Sequence, residues 1–126
     1  HLSDYFSFDK ILLDAPCSGS GTDNVFEAKF SKELIQESCK TQEALIKKAL
    51  NILKPGGELI YSTCSILKQE NEEILNKVVK AGKVEIVPII VEEKIPTLAV
   101  NIEGTICVCP TELYEGFFVA KIKKRV

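Results

Sequence analysis

The sequence lacks several features that would assign it to a common class of protein. Its single histidine is the first residue, and none of its five cysteines belongs to a C-x-x-C pair. These absences argue against a zinc site and a disulfide framework, and they favour a reducing compartment. No apolar run approaches the roughly 20 residues that a membrane span requires, and no signal peptide is visible. We therefore expect a cytoplasmic protein with no metal and no membrane partner.

Two further absences concern nucleotides and nucleic acids. The formal net charge is −2, so the chain as a whole carries no basic footprint for nucleic acid. The first apolar run is not followed by a turn with three glycines, or by an acidic ribose clamp about 20 residues later. The chain therefore shows no site of its own for a nucleotide-like cofactor.

What is present is a regular alternation of apolar strands and amphipathic helices. Strands are predicted at about residues 10–13, 58–62, 84–87, 105–109 and 116–123, and residues 89–103 are expected to be irregular. A helix should begin at the N-cap Ser31, continue through apolar positions to Leu53 and stop at Pro55-Gly56-Gly57. A second helix should run from about Gln69 to Gly82, with acidic residues near its positive N-terminus (Glu70, Glu72 and Glu73). At 126 residues this predicts one α/β domain, part of a doubly wound sheet with an antiparallel member.

Two of the predicted strands end in a cysteine with polar neighbours. Residues 14–19 read Asp-Ala-Pro-Cys-Ser-Gly after an apolar run typical of a strand buried on both faces, and residues 62–65 read Ser-Thr-Cys-Ser after the next strand. Open α/β folds bind their ligands at the carboxyl ends of the strands. We expect Cys17 and Cys64 to lie close together there, with Asp14 beside them.

These residue types suit one-carbon transfer to a pyrimidine. A thiolate can add to the 6-position of the ring, which makes the 5-position able to take a methyl group from a sulfonium donor. A carboxylate bonded to the ring nitrogens would stabilise the charge that develops during addition. A thiol-redox role for Cys17 and Cys64 is the weaker alternative, because neither has a C-x-x-C partner. Cys39, Cys107 and Cys109 are interpreted as packing residues, and the neighbouring serines and Thr63 as turn and cap residues.

Together the motifs resemble the Sun/Fmu-type RNA cytosine-5 methyltransferases. The Asp-Ala-Pro-Cys-Ser-Gly motif at residues 14–19, the Ser-Thr-Cys-Ser block at 62–65 and Glu-Gly-Phe-Phe-Val-Ala at 115–120 occur in the family's order and spacing. The resemblance implies a Rossmann-like methyltransferase sheet, S-adenosylmethionine as donor and RNA (transfer or ribosomal) as substrate. It implies that Cys64 is the nucleophile and that Cys17 resolves the covalent adduct. Asp14 would lie between the donor and the base, and Pro16 and Ser18 would contact the substrate.

The resemblance covers only half of the family's sheet. That sheet has the order three-two-one-four-five-seven-six, and this chain matches strands four, five, seven and six. We expect residues 1–126 to be the C-terminal half of a catalytic domain whose donor-binding N-terminal half is absent and is supplied by the same enzyme or by a separate chain. Its first strand would then be an exposed edge. The alternative is a non-catalytic remnant that acts as a binding or regulatory module.

Overall fold

A parallel pair of strands connected by a long helix forms the first part of the fold. The structure is a computed structural model that describes residues 6–20, 32–112 and 114–126. The predicted N-cap Ser31, the terminal His1 and most of the loop after Ser20 lie outside these ranges. In chain order the elements are β1 (Phe8–Asp14), α1 (Lys32–Ile52), β2 (Leu53–Thr63), α2 (Glu72–Lys80), β3 (Val84–Val87), β4 (Thr97–Leu98), β5 (Ile106–Val108) and β6 (Phe117–Lys124).

In the described part of the chain, these strands form a six-stranded mixed sheet. β1 pairs with β2 in parallel, and β6 pairs with β2 in the antiparallel sense. The far edge of β6 is shared by β3 and β5, both antiparallel to it, and β4 extends the sheet beyond β5. The order β1-β2-β6-β3 corresponds to strands four, five, seven and six, so the predicted half-sheet is confirmed.

Helix α1 covers one face of the sheet. Its buried stripe recurs at helical spacing and consists of Gln42, Ile46, Ala49 and Ile52. The stripe packs against β1 and β2, whose inward residues include the fully buried Leu59 and Tyr61. The strand ends that carry the cysteines are therefore attached to a rigid layer.

The proline–glycine segment does not act as predicted. Helix α1 has already ended at Ile52, and residues 55–57 lie within β2. Phe8 pairs with Leu53 but Lys10 pairs with Glu58, so β2 carries extra residues between these pairs and bulges outward. A Cβ on Gly57 would approach within 2.8 Å of the Asp9 carbonyl oxygen, so a side chain does not fit at the bulge.

Other boundaries also differ from the predictions. Helix α2 begins at Glu72 rather than Gln69, because the side chains of Glu70 and Asn71 bond to the end of β2 and to the loop after it before the helix starts. The segment expected to be irregular contains the short strand β4 (Thr97–Leu98). Apart from the early start of β2, the remaining strands match within two residues at each end.

Strand β1 is partly buried on one face and exposed on the other, so the prediction that both faces are buried is wrong. Its burial alternates along the strand, and the Leu12 side chain is 71% exposed. Among the described residues β1 pairs only with β2, which leaves its other edge unpaired, as expected for an edge strand. The same residues include no helix long and apolar enough to cross a membrane.

A lysine from β6 closes the C-terminal end of α1. The last turn of α1 contains no basic residue, and Lys124 Nζ donates to the carbonyl oxygens of Leu50 (2.7 Å) and Leu53 (2.8 Å). These bonds satisfy carbonyl groups that have no partner within the helix and place a positive charge at its negative end.

We expect Lys124→Met in the full-length protein to destabilise this end of α1 by about 1.4 kcal/mol, since charged hydrogen bonds are lost. Amide hydrogen exchange in the last turn of α1 should then be about tenfold faster. Lys123→Met, at the adjacent exposed position, is the control and should leave exchange unchanged. Equal exchange in the wild type and Lys124→Met would contradict the capping role.

Candidate active site

The carboxyl ends of β1 and β2 bring the two cysteine segments together. Asp14 is the register partner of Ser62, and the Ala15 N–H donates to the Ser62 carbonyl oxygen at 2.8 Å. Because the strands are parallel and end at the same level, the segments that follow them leave the sheet side by side. Cys17 lies three residues beyond the end of β1, and Cys64 directly follows β2.

The Cys17 thiol lies against the start of the Cys64 segment. Its sulfur accepts hydrogen bonds from the backbone N–H groups of Gly19 and Cys64. Burial raises the pKa of the Cys17 thiol, the two N–H groups lower it, and the nearby Glu70 carboxylate raises it further. The net direction is upward, so this thiol is protonated at neutral pH in the free protein.

The Cys64 thiol lies near two carboxylates, those of Asp14 and Glu115. Burial raises its pKa first, and the negative charges of Asp14 and Glu115 act in the same direction. A thiolate on Cys64 therefore requires a proton acceptor or a bound substrate that offsets these charges. This arrangement limits reaction of the thiol with solvent electrophiles when no substrate is present.

Asp14 is held by its neighbour on β2. Its Oδ1 accepts a hydrogen bond from Ser62 Oγ at 3.0 Å, and Ser62 is buried. Asp14 itself is exposed at the edge of the sheet. The result is an oriented carboxylate beside Cys64, accessible to a ligand from the carboxyl ends of the strands.

Glu70, which the sequence analysis treated only as a charge near the start of the second helix, lies between the two cysteine segments. It is fully buried, yet its carboxylate accepts hydrogen bonds from four donors. Oε1 accepts from Ser18 Oγ (2.6 Å) and Ser65 Oγ (2.7 Å), and Oε2 accepts from the Ser18 N–H (2.8 Å) and Gln42 Nε2 (3.3 Å). One signal was available in the sequence: Glu70 precedes the inward-facing Ile74 by four residues and so shares its face of the helical pattern.

The Ser65 hydroxyl has all its bonding capacity in use. Its single proton is donated to Glu70, so the 3.0 Å contact with Ser20 Oγ has Ser20 as the donor. Ser65 Oγ also accepts from the Leu67 N–H (3.0 Å), while Ser20 Oγ accepts from the Ile66 N–H (2.9 Å). The two loops are thus connected by side-chain bonds between residues 45 or more positions apart in sequence.

Asn71 stabilises the turn that carries Cys64. Its Oδ1 accepts from Thr63 Oγ1 (2.6 Å), and its Nδ2 donates to the Ser65 carbonyl oxygen (2.8 Å). The Thr63 hydroxyl in turn accepts from the Ser65 N–H (3.1 Å), which is the turn bonding predicted for these residues. Tyr61 adds a bond from its hydroxyl to the Glu70 carbonyl oxygen at 2.8 Å.

The two residues predicted to contact substrate take part in the same scaffold. Both polar groups of Ser18 bond to Glu70, and the Pro16 carbonyl oxygen accepts from Gln42 Nε2 at 2.7 Å. Pro16 itself is exposed. A substrate-binding role for Pro16 and Ser18 stays a prediction.

The other cysteines lie in different surroundings. Cys107 is a core residue, 4% exposed, and burial with the neighbouring charge of Glu72 raises the pKa of its thiol to about 11. Cys39 on α1 donates its thiol hydrogen to the Gln69 carbonyl oxygen, and Cys109 follows β5. Within the described ranges, no group of three histidine, cysteine or acidic side chains could hold a metal ion.

The fold places the chain in the methyltransferase class. NSun6 from Pyrococcus horikoshii, solved with SFG, superposes with a TM-score of 0.84 at 30% identity, over 95% of this chain and 31% of that one. A methyltransferase homolog protein from the same organism superposes with a TM-score of 0.79 at 37% identity, over 95% of this chain and 40% of that one.

The sequence comparisons identify the family. A family model described as "16S rRNA methyltransferase RsmB/F" matches residues 1–123, and the chain therefore belongs to that family, which confirms the resemblance of its motifs. The ribosomal RNA small subunit methyltransferase F of Vibrio cholerae serotype O1 is 40% identical over 126 aligned residues, which cover 93% of this chain. The alignment covers 26% of that relative, so the chain spans about a quarter of its length.

Proposed function

We propose that this chain is part of an RNA cytosine-5 methyltransferase that acts on small-subunit ribosomal RNA. The observation that supports this most is the contact between the two strand-end cysteines. The Cys64 N–H donates to the Cys17 sulfur, and the charge of Asp14 acts on the Cys64 thiol. The choice of RNA rests on the family description and on the name of the Vibrio cholerae relative. Reduced thiols are needed for this chemistry, which favours the cytoplasm.

In this proposal Cys64 is the nucleophile. A base takes the proton of its thiol, and the thiolate sulfur then forms a bond to C6 of cytosine while the C5–C6 π electrons move to C5. Bound S-adenosylmethionine supplies the methyl group that C5 takes up. A base then removes the C5 proton, and the electron pair left behind re-forms the double bond and expels the Cys64 thiolate. Cys17 is assigned to this release step because its sulfur lies at the Cys64 backbone.

Asp14 is the residue of this chain best placed to lie between the donor and the base. Its carboxylate is accessible, oriented by Ser62 and beside Cys64, which is where charge develops when the ring is attacked. By accepting a hydrogen bond from a protonated ring nitrogen, this carboxylate would stabilise the ring during the attack. The remaining contacts to the donor are proposed to come from the rest of the protein.

The same proposal treats residues 1–126 as the C-terminal half of a catalytic domain. The unpaired edge of β1 and the exposed Leu12 are features that an adjoining strand and helix would cover. The relatives are also much longer than this chain. On its own, the chain is expected neither to bind the donor well nor to turn over.

The test uses the full-length protein with radiolabelled S-adenosylmethionine. Small-subunit particles, naked 16S RNA and transfer RNA are supplied separately, and 5-methylcytosine is identified by mass spectrometry of the digested RNA. Methylation of ribosomal substrates alone supports the proposal, and methylation of transfer RNA alone reassigns the substrate. Absence of saturable donor binding by calorimetry, together with no methylation, supports the non-catalytic remnant instead.

We expect Asp14→Asn to slow methylation by about a hundredfold, because the amide cannot supply the charge and bonding of the carboxylate during addition. Single-turnover methyl transfer measures this loss. Asp9→Asn is the control at the other end of β1, where the Asp9 side chain is 82% exposed, and it should retain the wild-type rate. A loss in Asp14→Asn no larger than in Asp9→Asn would remove Asp14 from the mechanism.

A further inference from the structure

Each of the two strand-end cysteines is followed directly by a serine, and both serines bond to one atom. The Ser18 and Ser65 hydroxyls donate to the same oxygen, Oε1 of Glu70, at 2.6 and 2.7 Å. Glu70 is 0% exposed, and nothing in the chemistry proposed above uses it. A buried carboxylate is costly to maintain, so its complete set of donors requires an explanation.

The bonding pattern uses both carboxylate oxygens as acceptors. Oε2 faces the Ser18 backbone N–H and Gln42 Nε2, which can only donate, while Oε1 receives the two hydroxyl groups. An ionised carboxylate accepts at both oxygens, whereas a glutamine side chain must present a donor at one of them. Glutamate is therefore the side chain whose chemistry matches this site on both sides.

The position of Glu70 couples loops that the sheet alone does not hold. The backbone bonds of β1 and β2 end at Ala15 and Ser62, before either cysteine is reached. Beyond that point the loops are connected through Glu70, through the Ser20–Ser65 contact with the Ile66 N–H, and through the Cys64 N–H on the Cys17 sulfur. Among these connections, the one through Glu70 is the one that reaches the residue directly after each cysteine, Ser18 and Ser65.

We propose that Glu70 is a positioning residue that fixes the Cys17 loop against the Cys64 loop, so that attack by one cysteine and release by the other occur at a single site. This inference rests on the proposed function for the roles of the two thiols. Glu70 itself touches neither substrate nor donor. It acts through Ser18 on the release thiol and through Ser65 on the attacking thiol.

The test uses four variants of the full-length protein: Ser18→Ala, Ser65→Ala, the double variant and Glu70→Gln. Both serine variants keep the Glu70 charge, so they change the bonding and leave the electrostatics in place. Thr105→Ala is the matched control, because Thr105 is buried like Ser65 and its hydroxyl donates to a nearby carbonyl (Ile102, 2.7 Å) away from the cysteines. Thermal unfolding of each variant reports any general loss of stability.

Two kinetic steps are followed separately on RNA in single turnover. Ser65→Ala should slow formation of the covalent adduct by about tenfold or more, and Ser18→Ala should slow its release by a similar factor, since small misplacements of reacting groups have large effects. Glu70→Gln should slow both steps, and Thr105→Ala neither. Equal losses of both steps in all variants, in proportion to their lowered melting temperatures, would reduce Glu70 to a structural role.

A second readout does not depend on the enzyme being active. Alkylation of Cys17 and Cys64 is followed by mass spectrometry without RNA. Loosening either loop should speed alkylation of both half-buried thiols by about threefold or more, including the thiol in the unmutated loop, and the double variant should show less than the summed effects. If each serine variant changes only its own loop, the inference fails even when methylation is intact. If the wild type does not methylate RNA but each serine variant speeds alkylation of the thiol in the other loop, the proposed function is wrong and the positioning role of Glu70 stands.

Discussion

Replacing Cys17 with alanine in the full-length protein is expected to leave RNA covalently attached to it. The Cys64 thiol can still add to the cytosine ring and the methyl group can still be transferred, but the group assigned to release is gone. The adduct should therefore accumulate as a slowly migrating species on a denaturing gel, with close to one RNA per active site. Its band should carry the label from radioactive S-adenosylmethionine.

The adduct must depend on Cys64. The double variant Cys17→Ala/Cys64→Ala should show no attached RNA, and Cys39→Ala should behave like the wild type, because Cys39 lies on α1 with its thiol bonded to the Gln69 carbonyl oxygen. Trapping by Cys64→Ala instead of Cys17→Ala would reverse the two roles. If neither Cys17→Ala nor Cys64→Ala traps RNA and both variants still methylate it, an adduct on either cysteine is excluded.

Cys64→Ala should abolish methylation, with a loss of about a millionfold of the kind seen when a covalent nucleophile is removed. The expected rate is at or below the detection limit of a labelled methyl-transfer assay, with no adduct at any time. Binding of donor and RNA should change little, because the side chain is small and the turn around it is held by Asn71. Residual methylation within about a hundredfold of the wild type would show that another group attacks the ring.

Local patterns in the sequence were sufficient to predict most of the helices and strands. The apolar spacing of α1 and the alternation of strands and helices predicted the parallel pair, since it follows from which residues need burial at each repeat. The half-sheet was predicted from the resemblance of the motifs to the methyltransferase family. The pattern failed at residues 53–57. Proline and glycine commonly end a helix, but here the pairing of Phe8 with Leu53 draws Leu53 into β2 and leaves the glycines in a bulge.

By itself, the sequence determined the fold class and the family, because its strands end in the family's Pro-Cys-Ser and Thr-Cys-Ser motifs. It also predicted that the two thiols and Asp14 form a site at this edge of the sheet, and their catalytic roles stay a prediction. Only the tertiary structure decided how those groups are held. Glu70 was read as a charge at the start of a helix, and the structure instead turns it inward to bond Ser18, 52 positions away. Such a contact depends on which strands become neighbours in the folded sheet. The local spacing of residues cannot predict this, because the contacting residues lie far apart in the sequence.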